Sequence, residues 1–181
     1  TVAKSRHYLA GTFSLPRKPA WFALGRLNVK PTDIFLPDFF LWDPISLLGG
    51  AAGIVCPDCN SHHLTRDGVV ERPRRVVDVD ACFWILGYTY ACLRFRFRSW
   101  DQRVLRRLPL PLAAEFPAHL TWRSGLSTRA FGVVRSCFQH GMGAEEVADL
   151  FRMQHLRRYD EIRLQYLRTK VKQMSLPGKT Y

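Results

Sequence analysis

The sequence predicts an α+β protein: a small antiparallel, zinc-ribbon-like β unit between a Pro- and aromatic-rich N-terminal arm and a C-terminal unit of three helices with helix-turn-helix spacing. Three observations lead there. A Cys-x-x-Cys pair, Cys56 and Cys59, opens the run "CPDCNSHHLTRDG" and is followed by a glycine turn. The stretch "RRVVDVDACFWILGYTYACLRFRFRSW" is dense in β-branched and aromatic residues and passes into the period-2 alternation of "LRFRFRSW". From Ser127 onward, apolar residues recur at helical spacing. With 181 residues, 47% of them hydrophobic, the chain has material for one ordinary core or two small modules, and full disorder is excluded.

Taken in order, residues 1–50 carry prolines at 16, 19, 31, 37 and 44, which forbid long helices. This arm is expected to lay Trp21, Phe22, Phe35, Phe39, Phe40 and Trp42 onto another surface, with stacking on bases as the alternative use of the rings. Residues 51–108 form the β unit, with Gly87 placed for a hairpin turn between two β-rich runs. Residues 109–126 read as a Pro-punctuated connector, preceded by a short helix after Asp101. The helical unit, 127–176, divides into "STRAFGVVRSCFQHG" closing on Gly141, "GAEEVADLFRMQ" after Gly143, and "LRRYDEIRLQYLRTKVKQM" running to Pro177; residues 177–181 are a tail. Val147, Leu150 and Phe151 share one face of the second helix, and Tyr159, Ile162, Tyr166 and Leu167 one face of the third.

Lys and Arg number 27 against 15 Asp and Glu, a net charge of +12, which points to a polyanionic partner. No apolar run approaches the roughly 20 residues of a membrane span, so a spanning protein is not expected; of the polyanions the charge suits, nucleic acid or an anionic membrane surface, nucleic acid is the expected partner and a membrane is not. The N-terminus lacks a compact apolar stretch and begins without Met, and reads as a fragment rather than a signal peptide. Arg94, Arg96 and Arg98 share one face of a strand, with Arg72, Arg74 and Arg75 near in sequence. From Phe151 to the end, eight Lys and Arg, among them Arg157, Arg158, Arg163 and Arg168, face only Asp160 and Glu161. A helix of this kind in a major groove sets such side chains on phosphates, with Arg157 or Arg158 reaching base edges. The alternative is a solvated helix face on which Arg157 pairs with Glu161.

Five cysteines, an odd number with one tight pair, favour reduced thiols and a metal over a disulfide framework. A tetrahedral zinc needs four ligands. In "YACLRF", Cys92 supplies a third, and Phe95 stands where a ribbon's fourth Cys belongs. Cys82, His62 and His63 are the candidates for the fourth position. The competing reading makes Cys92 a small buried apolar residue, and Cys82 is favoured as core.

The succession "FFLWDP", "CPDC", "RRVVDVD", "GYTYAC", "LPLPLAAEFPAHLT" and "CFQHGMG", from about Phe39 to Met142, resembles an uncharacterised domain of eukaryotic, especially fungal, transposon-derived proteins. It is similar to the DNA-binding front end of transposases of the Kyakuja–Dileera–Zisupton kind. The resemblance implies a zinc-ribbon-like module in a larger transposon protein, with Cys56, Cys59 and Cys92 on ligand positions and a departure at Phe95. It also implies a nuclear setting.

Catalysis is not expected. A transposase core needs three carboxylates on an RNase H-like fold, and no βαβ alternation surrounds the acidic residues here. Asp78 and Asp80 are a conceivable metal pair, but pairing with neighbouring arginines is favoured. Two functions remain: a DNA-binding module, with double-stranded DNA as partner and zinc as structural metal, or an interaction domain for an acidic protein. Steep salt dependence of DNA binding separates them.

Overall fold

The computed structural model describes residues 11–15, 23–24, 29–48 and 53–175. Strand β5 (Cys82–Ala91) organises the fold. Its sequence, "CFWILGYTYA", carries no charge and is rich in aromatic and β-branched residues, the composition of a strand covered on both faces. The first half of β5 pairs in parallel with β2 (Asp38–Trp42) and antiparallel with β4 (Arg74–Val77). The second half pairs antiparallel with β3 (Thr65–Val69) and β6 (Arg96–Arg98). Beyond β4 the sheet continues through β8 (Gly125–Ser127), in parallel, to β7 (Ala118–Leu120), and β1 (Ser14–Leu15) borders β2.

The protein is thus α+β, but the sheet is larger than the antiparallel unit the sequence suggested: eight strands, with two parallel pairings. The parallel strand β2 comes from the stretch read as an arm. Instead of lying on a surface, Phe40 and Trp42 enter the main core, where Trp42 is 1% exposed. Trp42 and Phe116 meet edge to face at 5.1 Å. Phe35 does dock, stacking on Tyr159 at 4.8 Å. Trp21 and Phe22 lie outside the described residues, as does the tail 177–181.

Gly87 is not a turn. It lies inside β5, where the strand exchanges β2 and β4 for β6 and β3. A β-carbon there would stand 2.4 Å from Ser99 Oγ and 2.6 Å from the Trp100 ring. Ser99, fully buried, accepts a hydrogen bond from Tyr88 N–H at 3.1 Å and donates to Trp42 O at 3.2 Å, while Trp42 Nε1 donates to Ser99 O at 3.0 Å. These bonds tie the end of β2 to the end of β6, and only a glycine lets them come so close.

Asp43 follows β2 and is 3% exposed. A buried carboxylate is costly unless paired, and this one accepts from Tyr90 OH at 2.8 Å and Ser46 Oγ at 2.9 Å and faces Arg66 Nε at 3.2 Å. Burial, with the neighbouring Asp43 charge, pushes the Tyr90 phenol far above its ordinary range. The network fixes the short helix α1 (Pro44–Leu47) against β5.

The stretch 109–126 holds more than a connector. The short helix after Asp101 is α2 (Gln102–Leu105), which Asp101 caps by accepting from Arg103 N–H at 2.9 Å. Helix α3 (Leu110–Ala114) and the hairpin β7–β8 follow, and the hairpin forms one border of the sheet. Ser127 then caps α4 (Thr128–Gln139), its Oγ accepting from Ala130 N–H at 2.9 Å.

The last two expected helices are one. Helix α5 (Ala144–Met174) runs 31 residues, about 46 Å, so the described C-terminal region holds two helices and no turn between "GAEEVADLF" and the basic stretch. The reason is in the sequence: 144–174 contains neither Gly nor Pro and consists largely of Ala, Leu, Glu, Gln, Met, Lys and Arg. Glu146 Oε2 accepts from Gly143 N–H at 2.8 Å at its start. Val147 and Phe151 pack with Ala130 of α4 in a second, small core, and Ile162 is buried further along. Of the residues expected to share one face there, Ile162 is buried, while Tyr159 and Leu167 are exposed. No helix among the described residues is long and apolar enough to cross a membrane.

Candidate metal centre and basic surface

The three-stranded part of the sheet, β3, β5 and β6, carries the cysteines at one end. Cys56 and Cys59 lie in the turn before β3, and Cys92 lies in the turn from β5 to β6. The first turn is closed by Cys56 N–H donating to Ser61 O at 2.9 Å and Asn60 N–H donating to Cys56 O at 3.0 Å. Asn60 takes a left-handed φ of 55°, a conformation that Asn tolerates better than most residues. The second is closed by Cys92 N–H donating to Phe95 O at 2.9 Å.

The sulfurs of Cys56, Cys59 and Cys92 lie within 4.8 Å of one another, with Cys92 Sγ 3.6 Å from each of the other two. This is far beyond a disulfide's roughly 2.05 Å. Thiolates held tetrahedrally about 2.3 Å from one ion stand about 3.8 Å apart, so the spacing fits a shared metal. The cluster can hold a metal ion. Cys56 is fully buried in the main core, Cys92 half-buried and Cys59 exposed, so the site sits at the surface with one ligand rooted inside.

The electrostatics suit a cation. Backbone N–H groups of Arg94 and Phe95 point at Cys92 Sγ, the latter at 3.2 Å, and bring its thiol down to about 7. At Cys59 the N–H of Ser61 acts in the same sense, but loss of water and the sulfurs of Cys56 and Cys92 outweigh it and raise the thiol. Crowding of negative charge is what a bound cation relieves.

The fourth position is not filled by the residues expected there. Among the described residues, no fourth Cys, His, Asp or Glu atom joins the three sulfurs within that distance. Cys82 opens β5, about 30 Å of strand from Cys92, and receives Arg75 Nη2 at 3.5 Å. His62 and His63 are exposed and outside the cluster, because the turn at Asn60 carries the chain away toward β3. Phe95, in the place of a ribbon's fourth Cys, is 42% exposed.

Two arginines that sequence reasoning missed brace the first turn. Arg103 reaches from Asp101 to Asp58, 2.6 Å away, and Arg107 Nη1 donates to Asn60 Oδ1 at 2.8 Å and to Cys56 O at 3.4 Å. They stand more than forty residues from Asp58, Asn60 and Cys56 in the turn, and no local pattern announces the pairing.

The family model described as "Domain of unknown function (DUF6729)" matches residues 19–180. The chain belongs to this family. The match takes in the cysteine cluster, strands β2 to β8 and both long C-terminal helices. No curated protein and no solved structure matches the chain.

The arginines of this DUF6729 domain fall into two groups. Around β4 and β6, Arg72, Arg75, Arg94, Arg96 and Arg98 are exposed, and Arg74 is half-buried. Arg96 is paired with Asp67 at 3.1 Å. Arg74 and Arg98 have no carboxylate partner among the described residues; burial and the nearby positive charge of Arg98 hold the Arg74 guanidinium below its usual value. Arg74 Nη1 donates to Trp122 O. On α5, Arg157 and Arg158 both pair with Glu161, at 3.7 and 3.4 Å, while Arg163 and Arg168 are exposed. Arg158 lies beside Asp78 and Cys82 at the start of β5, where Arg75 also reaches Cys82, whereas Arg96 stands opposite the last residue of the strand, so the first group spans β5 and the α5 group meets it at its start.

Asp78 and Asp80 follow β4 and face Arg129 of α4, at 3.2 and 2.7 Å, rather than the neighbouring arginines. Burial works against the Asp78 carboxylate, but Ser127 Oγ donating at 2.6 Å, Val79 N–H and Arg129 outweigh it and hold its carboxyl below the usual range. His155 Nε2 lies 2.8 Å from Asp78 O. Together these bonds dock α4 and α5 on the end of the sheet.

Proposed function

We propose that this domain binds nucleic acid, with DNA as the expected partner, through the arginines of β4 and β6, on a zinc-ribbon-like unit whose Cys56, Cys59 and Cys92 hold zinc. The observation that carries the reading is that Arg72, Arg75, Arg94 and Arg98 stand exposed on and beside β4 and β6 with no carboxylate partner among the described residues, and that the charge of Arg98 is felt at the half-buried Arg74. Like charges held together cost free energy unless an anion sits between them, and a phosphate backbone is such an anion. The exposed Arg72 and Arg94 extend the surface. Zinc is the metal of choice for thiolate ligands at this spacing, and its role here is structural, since Cys56 roots the centre in the core.

The helix α5 contributes Arg163 and Arg168 only secondarily, because Arg157 and Arg158 are already paired on their own helix. A non-catalytic role belongs to the same reading: Asp78 and Asp80 are engaged by Arg129. The transposase-like, nuclear setting rests on the motif resemblance alone. The test is the binding of zinc-loaded protein to a fluorescent duplex of random sequence over a salt series. A steep fall of affinity with salt is expected. Binding indifferent to salt contradicts the proposal, and so does failure to bind either the duplex or a single strand at about 50 mM salt.

A further inference from the structure

Trp122 is the most exposed tryptophan of the described residues, at 89%, and nothing in the fold uses its ring. It sits on the tight turn between β7 and β8, whose shape is fixed: Thr121 N–H donates to Ser124 O at 2.8 Å, Thr121 Oγ1 donates to the same oxygen at 3.0 Å, and Ser124 N–H donates to Thr121 Oγ1 at 3.2 Å. Gly125 closes the turn; a β-carbon there would stand 2.7 Å from Leu120. The turn is also anchored from outside, because Arg74 donates to the Trp122 carbonyl. The ring is therefore presented from a rigid base, beside the arginines already described, with the exposed Arg123 next to it.

An exposed indole leaves a large apolar area in water, which is unfavourable unless a partner covers it. The charge next to it selects the partner: a flat apolar ring whose own carbonyl holds the Arg74 guanidinium, with Arg123 following in the chain, suits a nucleobase whose phosphates meet the arginines. A closed duplex hides its base faces in the stack, so the ring needs an unpaired base. We propose that Trp122 is a stacking platform for an unpaired nucleobase, set by the bond from Arg74 to its carbonyl and flanked in the chain by the exposed Arg123, so that the domain favours single-stranded or locally opened nucleic acid.

This inference rests on the nucleic-acid reading above, and the experiment separates the two. Affinities for a fluorescein-labelled oligodeoxythymidylate of about 20 nucleotides and for a duplex of the same length are measured for the wild type, Trp122→Ala and Trp122→Phe, with circular dichroism to verify the fold. The expected result is a loss of about 5- to 100-fold for Trp122→Ala on the single strand, with the salt slope unchanged and most affinity kept by Trp122→Phe. Duplex affinity should change less than about 2-fold. If the wild type binds with salt dependence and Trp122→Ala binds the single strand equally well, stacking is wrong and phosphate binding stands. An equal loss on both probes also overturns the stacking role. If the wild type binds neither probe at low salt, both proposals fall.

Discussion

Replacing Gly87 by Ala is the sharpest single test of the architecture. The added β-carbon would lie 2.4 Å from Ser99 Oγ and 2.6 Å from two carbons of the Trp100 ring. Neither neighbour can swing away, since Ser99 is fully buried and hydrogen-bonded to β2 and β5, and Trp100 is 4% exposed. Backbone or ring must shift by most of an ångström, and overpacking of that kind costs about 1–3 kcal/mol. For a domain of this size each kcal/mol lowers the melting temperature by about 2–4 °C, so a fall of roughly 2–12 °C is expected. Gly132 in α4 is the matched control: a β-carbon there meets nothing within 4 Å, so Gly132→Ala should stabilise by about 0.5–1 kcal/mol. Urea and thermal unfolding measure both. Equal midpoints for Gly87→Ala and the wild type would refute the claim that β2 and β6 meet across a glycine.

Zinc at about 100 times its dissociation constant should stabilise the wild type by about 2.7 kcal/mol, and Cys92→Ser should abolish most of that gain; a wild type indifferent to zinc in thermal unfolding speaks against the metal centre. Tyr90→Phe removes a donor to the buried Asp43 and should cost about 1–3 kcal/mol in urea unfolding, whereas no change would show the carboxylate satisfied without it. Asp78, held below its usual 3.8, contributes stability that is complete above about pH 5 and is lost as pH falls through 3.8 toward the native value. Asp78→Asn should therefore be less stable than the wild type at neutral pH, with the gap closing in acid; a gap constant down to about pH 2 would contradict the assigned role.

What the sequence disclosed was local. The cysteine spacing and the "YAC" strand brought Cys56, Cys59 and Cys92 together on paper because each knuckle is a short turn beside a strand. The alternation of "RFR" gave β6 its buried Phe97 and exposed arginines, and Ser127 marked the start of α4. What remained hidden was nonlocal. The parallel pairing of Trp42 with Gly87 joins residues 45 apart, so the prolines suggested an arm where a core strand lies. Gly87 looked like a turn because its β-branched and aromatic flanks fit two strands as well as one. The single helix α5 was legible in the lack of Gly and Pro, but its apolar residues keep no one face over the whole length, which invited division. The clamp of Arg103 and Arg107, and the exposure of Trp122 beside Arg74, follow from tertiary packing alone.

Under the proposed function, Arg74 and Arg98, which meet no carboxylate among the described residues, are phosphate contacts. The most direct measurement is the slope of log affinity against log salt for zinc-loaded wild type and for the Arg74→Ala, Arg98→Ala double variant on one labelled nucleic acid. Weaker binding and a slope shallower by about 2 are expected, one for each phosphate that no longer meets a guanidinium. An unchanged affinity and slope would contradict the proposed contacts.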